Sequence, residues 1–254
     1  KSSNVDFQQE KYAYLKNFTF RVKNVPVFYT PYWMVPVRTK RATGFLFPSF
    51  GGGNRNGFTA KNAFFWAINE QADSTLFIDQ LGKKGTREGL ELRFVLGPES
   101  RGNFFGEHIK EIDSDKNLWK LNYDHQMLLG QGVRNVAHLD LVSEKSIDKE
   151  FGDAIQSRTK QYTDSYVTFY KNWESRSLYL TGRSQKSIDE NRDETFQRLP
   201  EVQFVNNQQF LLNTPLMFSL ESSATAFQTE ELRNGRKADF DVNRFNFSPE
   251  ISLP

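Results

Sequence analysis

The sequence predicts an all-β fold of antiparallel strands, and three observations predict it. Apolar and polar residues alternate with a period of two over much of the chain, the spacing at which successive side chains leave opposite faces of a strand. Clusters of Gly, Asn, Asp, Ser and Lys interrupt these runs at hairpin spacing. No amphipathic pattern sustains three helical turns. Of the 254 residues 24 are Phe, and aromatics make up 15%, yet the mean hydropathy is −0.64. A polar average with so many rings fits a sheet with one apolar face and one wet face.

Residues 15–37, LKNFTFRVKNVPVFYTPYWMVPV, are denser in apolar side chains and contain Pro26, Pro31 and Pro36. They predict short, proline-bounded strands that end a separate β unit, with a boundary in RTKRATG (38–44). The chain thus divides into residues 1–40 and 41–254. GFLFPSFGGGNRNGF (44–58) follows, a strand-like run with Pro48 inside it and a glycine-rich turn behind it. Proline has no N–H to give to a ladder and belongs at edges or bulges.

Alternation then recurs. Phe58, Ala60, Phe64, Trp66 and Ile68 share one face, against Thr59, Lys61, Ala63 and Phe65. Leu90, Leu92, Phe94 and Leu96 oppose Glu91 and Arg93; Val167, Phe169 and Trp173 oppose Tyr166, Thr168 and Asn172. Leu178 and Leu180 oppose Tyr179, Thr181 and Arg183; Leu216, Phe218 and Leu220 oppose Ser219 and Glu221. Turns are predicted at 69–74, 82–85, 97–102, 113–117, 130–132 and 234–237. The polar stretch 144–165 predicts a long loop with a short helix.

Several function classes fall away. The net charge is +2 without a Lys/Arg run, so nucleic acid is not expected. There is no cysteine for disulfides or thiolate metal sites. GGGNRNG (51–57) lacks the Lys-Ser/Thr of a phosphate loop. DSDKN (113–117) lacks the glycine and glutamate of a calcium loop. His108, His125 and His138 stand on separate strands, and no GxSxG or HExxH occurs. No catalytic residue, metal or cofactor is assigned. No apolar run is long enough for a transmembrane helix. The start, KSSNVDFQQE, has no apolar leader and reads as a mature or truncated product.

A soluble sandwich alternates in the same way as a transmembrane β-barrel. The barrel would turn Glu91, Arg93, Thr168 and Glu221 inward and set Tyr32, Trp33, Phe64, Phe65, Trp66, Trp119, Tyr170 and Trp173 near strand ends as interfacial girdles. Pattern alone leaves both open, with a soluble or surface carbohydrate-binding module as the alternative function.

The run 25–58 resembles the join between jelly roll and barrel in the LptD (OstA) family of lipopolysaccharide-assembly proteins of the outer membrane. Val25–Tyr32, Gly44–Phe50 and Phe64–Trp66 carry the match, and FQRLPEVQF (196–204) and FDVNRFNFSPEISLP (240–254) continue it in the family's order. The resemblance implies the last strands of a periplasmic β-jelly roll over 1–40. The N-terminal part of an outer-membrane β-barrel, about its first dozen strands, would follow over 41–254. It implies a non-enzymatic translocon that inserts lipopolysaccharide into the outer leaflet. The partners would be an LptE-type lipoprotein plug, an LptA-type periplasmic bridge protein and outer-membrane lipid. Gly44, Phe45, Phe47, Pro48 and Phe50 would form a lateral gate at the first strand, where the missing proline donor weakens the seam. Lys40, Arg41, Arg93 and Arg183 are candidate contacts to lipopolysaccharide phosphates. Two departures stand out. Ala63 occupies a place where members often carry a second proline, and the disulfides that tie jelly roll to barrel in well-studied members have no counterpart here.

Overall fold

The computed structural model describes residues 4–7, 12–36, 41–112, 114, 116–152, 159–189, 193–211, 214–233 and 236–253. The chain groups into two compact units, Lys1–Phe94 with Phe105–Asn117, and Val95–Phe104 with Leu118–Pro254. Every pairing described is antiparallel, as the alternation requires.

The first unit opens with β1 (Asn4–Phe7), β2 (Tyr12–Val22) and β3 (Val25–Pro36), a 3-stranded sheet in that order. The expected short strands are instead long: β2 has 11 residues and β3 has 12. Edge position resolves the conflict. Among the described residues β3 pairs only with β2, so its prolines need not donate on the other side. The ladder is irregular where Pro26 meets Arg21. It also steps from Lys16↔Tyr32 to Phe18↔Thr30, leaving Asn17, at φ 51°, opposite Pro31.

The unit continues with β4 (Gly44–Phe45), β5 (Ser49–Gly53), β6 (Gly57–Ala67) and β7 (Ala72–Leu81). Two further strands, β8 (Gly85–Gly97) and β9 (Ser100–Glu111), each contribute to both units. In the β5–β6 turn Gly57 has φ +67°, and a Cβ there would meet Lys83 Cγ at 2.9 Å. The turn expected over 69–74 is shorter, because β7 already pairs from Ala72 and brings Asp73 into the ladder opposite Arg93. The turn expected over 97–102 contracts likewise between Gly97 and Ser100.

The second unit holds β10 (Asn117–Gly130) from Leu118 on, β11 (Val133–Val142), the short helix α1 (Ile147–Phe151) and β12 (Tyr162–Asn172). It is completed by β13 (Arg176–Ser187), β14 (Glu194–Phe210), β15 (Met217–Arg233) and β16 (Arg236–Ser252). The helix expected within 144–165 is α1, with Ile147 and Phe151 buried. β4 and β6–β16 follow one another in chain order in a 13-stranded sheet, with β5 beside β6. Among the described residues β16 pairs only with β15, and β4 and β5 only with β6.

The two faces of this sheet are inverted relative to a soluble core. Leu76 and Ile78 on β7 are 45% and 51% exposed, while Asp73 and Asp79 on the same strand are 5% and 4%. Phe169, Leu178, Leu180, Phe245, Phe247 and Ile251 are likewise exposed. Thr225 and Asp140 lie buried on the opposite face. Leu90, Leu92, Phe94 and Val167, on the same flank as those exposed side chains, are half-buried.

Candidate functional site

The site begins at the break between β4 and β5. Phe45 pairs with Phe64 on β6, and Ser49 pairs with Lys61. Four steps along the first strand thus span three along β6, which makes residues 46–48 a β-bulge. Leu46 N still donates to Ala63 O at 2.8 Å. Pro48 sits buried in the bulge, a position at which strand prolines are tolerated. The extra residue also resets the side-chain alternation. Phe45 lies beside Phe64, and Phe50 beside Ala60, on the same face of β6. Without a bulge their odd separation would set them on opposite faces.

That shared face meets the small sheet. Phe45 stacks on Trp33 of β3 at 4.8 Å between ring centroids and packs edge-on against Phe64 at 5.0 Å. Trp33 is 5% exposed and also touches Phe18 at 5.8 Å and Phe28 at 5.3 Å. A second stack runs from Phe20 through Phe50 to Phe58, at 5.3 Å and 6.3 Å. Phe47, 72% exposed, joins neither. Of the residues picked from the sequence, then, Phe45 and Phe50 anchor the two stacks. Gly44 is buried opposite Phe65, Pro48 shapes the bulge, and Phe47 points to the surroundings.

The basic residues separate. Lys40 lies outside the described residues, as do Asp113 and Asp115 of the DSDKN stretch. Arg41 and Arg93 converge on one carboxylate: Arg93 Nε donates to Asp73 Oδ1 at 2.8 Å, and Arg41 Nη2 donates to Oδ2. The Asp73 side chain is 7% exposed, the Arg41 and Arg93 side chains 48% and 53%. The trio keeps one positive charge in excess, with both arginine side chains about half exposed. Arg41 also lies over Phe65, 5.8 Å from the ring centroid. Arg183, in the second unit, is gripped by Asp164 through two bonds of 2.8 and 2.6 Å and lies 5.7 Å from the Tyr166 ring.

Sequence reading missed two of these parts. Asp73 was hidden in a predicted turn, although its alternation with Ala72 and Ser74 continues that of β7. Trp33 was expected in an interfacial girdle, but it is buried between sheets. Tyr170 and Phe65 also leave that girdle. Tyr170 stacks on Tyr179 at 5.7 Å on the polar face, and Phe65 shares its face with Thr75. Trp66, Trp119 and Trp173 remain exposed.

Further ion pairs lie on the polar face. Arg87 joins Asp79 at 2.5 Å, and its Nη1 lies 4.0 Å from Glu107, with all three side chains at least nine-tenths buried. Phe77 lies across from Gly89 and stacks on Phe105 at 5.8 Å. In the second unit Asp148 of α1 pairs with Lys120 of β10, and Lys160 pairs with Asp140. Burial, and the like charge of Lys120, push the Lys160 amine down to about 8.

An antiparallel sheet that is ion-paired on one face and carries exposed apolar side chains on the other defines the class of the transmembrane β-barrels, here unclosed among the described residues. The model of the LptD protein family matches residues 13–228. The chain belongs to that family. Similar curated proteins are each named LPS-assembly protein LptD. The one from Pasteurella multocida (strain Pm70) is 28% identical over 97% of this chain. Those from Shewanella sp. (strain MR-4) and Aliivibrio fischeri (strain ATCC 700601 / ES114) are 27% identical over 97% and 100% of it. The chain spans about a third of these relatives, 32% of each.

Proposed function

We propose that this chain forms the junction between a periplasmic jelly roll (1–40) and the N-terminal part of an outer-membrane barrel (41–254), within a translocon that inserts lipopolysaccharide into the outer leaflet. The names of its relatives support the substrate, and the inverted faces support the membrane. The apolar flank would touch hydrocarbon, and the charged flank would line a wet passage for the sugar. The protein would work without catalysis, beside an LptE-type plug and an LptA-type bridge protein. The inverted faces argue against the soluble carbohydrate-binding module.

The observation that carries the gate is the first strand itself. Among the described residues β4 and β5 pair on one side only; they are split by the Pro48 bulge and docked through Phe45 and Phe50 onto the small sheet. A closing strand laid along this edge would meet an interrupted row of donors. Each missing bond removes about 0.5–1.5 kcal/mol of seam stability. The small sheet would hand acyl chains along the aromatic stacks to that seam, and Arg41 and Arg93 would meet phosphates at its foot. Ala63, opposite the bulge, keeps the N–H that a second proline would lack.

The test uses the full-length protein in cells. Pro48→Ala should strengthen the seam and slow the appearance of new lipopolysaccharide at the surface, while Ala63→Pro should relieve that delay. Unchanged surface lipopolysaccharide in correctly folded Pro48→Ala cells would remove the gating role.

A further inference from the structure

We propose that the β12–β13 hairpin carries an interfacial site for an anionic glycerophospholipid, built from Lys171, Trp173 and Arg176. The inference rests on the membrane reading above and adds a ligand to a part of the barrel remote in sequence from the gate. An open cavity of about 660 Å³ lies at this turn, lined by Trp173, Glu174, Ser175, Arg176 and Phe204. Trp173 is 48% exposed, and Lys171 Nζ lies 5.4 Å from its ring centroid. Neither Lys171 nor Arg176 forms an ion pair among the described residues, whereas the cations Arg183, Arg134 and Lys160 do.

The turn is held rigid. Trp173 N donates to Arg176 O at 2.8 Å, Asn207 N to Ser175 O at 2.7 Å, and Ser175 Oγ to Gln209 Oε1 at 3.0 Å. The lining therefore exists before any ligand arrives. Lys171 pairs across the hairpin with Leu178, and Phe169 with Leu180, so the cations crown a greasy stripe. Two cations and Glu174 leave one positive charge over that stripe, next to an amphipathic ring. Such a ring prefers the headgroup level, and an uncompensated cation there attracts acidic lipid. One phosphate with two acyl chains matches this order of charge, ring and hydrocarbon.

The experiment places the full-length protein in phosphatidylcholine nanodiscs doped with brominated phosphatidylglycerol or, separately, with brominated phosphatidylcholine. The emission difference between the parent protein and Trp173→Phe isolates Trp173. Its quenching should need several-fold less of the brominated anionic lipid. Lys171→Gln with Arg176→Gln should abolish that preference, about fivefold for the one positive charge in excess. Equal quenching of Trp173 by both lipids in the parent protein overturns the site and leaves the membrane reading standing. No quenching by either overturns the lipid-facing assignment of this flank, and the site with it.

Discussion

Trp33→Ala is the sharpest perturbation of the junction. The indole is 5% exposed and touches three rings, of which Phe18 and Phe28 belong to its own sheet and Phe45 to β4. Removing a buried aromatic side chain costs about 3–5 kcal/mol, most of it local to β2 and β3. What matters for the gate is the share that crosses between the sheets. The Trp33–Phe45 stack should contribute about 0.5–1.5 kcal/mol, equivalent to a factor of about 2–12 in an opening equilibrium at about 1.4 kcal/mol per tenfold. A double-mutant cycle with Phe45→Ala isolates that share. The readout is amide hydrogen exchange of residues 44–53 in the full-length, detergent-solubilised protein. Leu46 N–H, bonded to Ala63 O, is the reporter. Trp33→Ala should speed its exchange by that factor, with little further effect once Phe45 is already Ala. If exchange rises throughout 12–36 and stays unchanged over 44–53, the small sheet is not coupled to the first strand and the reasoning fails.

Two further outcomes follow from the polar face. A Cβ at Gly89 would stand 2.3 Å from Gly106 O and 2.6 Å from Phe77 Cζ. Gly89→Val should therefore destabilise by about 1–3 kcal/mol or more, visible as a lower temperature for loss of the compact, heat-modifiable band. Phe77→Ala should rescue it only in part, since the carbonyl remains. Lys160 should titrate near pH 8 in methyl-lysine NMR, below the ordinary lysine range. Lys120→Gln should raise that midpoint, because it removes the like charge. A depressed amine leaves the native state holding fewer protons than the unfolded one above about pH 8. The penalty that burying this charge places on folding is therefore full below about pH 8 and is relieved from there up to the ordinary lysine value.

Strands, their faces and the short helix were legible in the chain because period-two alternation is a local property. Leu178 and Leu180 against Tyr179 and Arg183 can be read without knowing any partner. Family motifs such as GFLFPSF are local in the same sense. Which carboxylate holds Arg41 and Arg93 could not be read, since Asp73 reaches them only through the β7–β8 register and the path of the chain before β4. The burial of Trp33 was equally hidden, because it depends on a bulge that returns Phe45 and Phe50 to one face. Periodicity assigns a side chain to a flank; only the folded packing of one sheet on another decides whether that flank meets a ring, an ion or nothing.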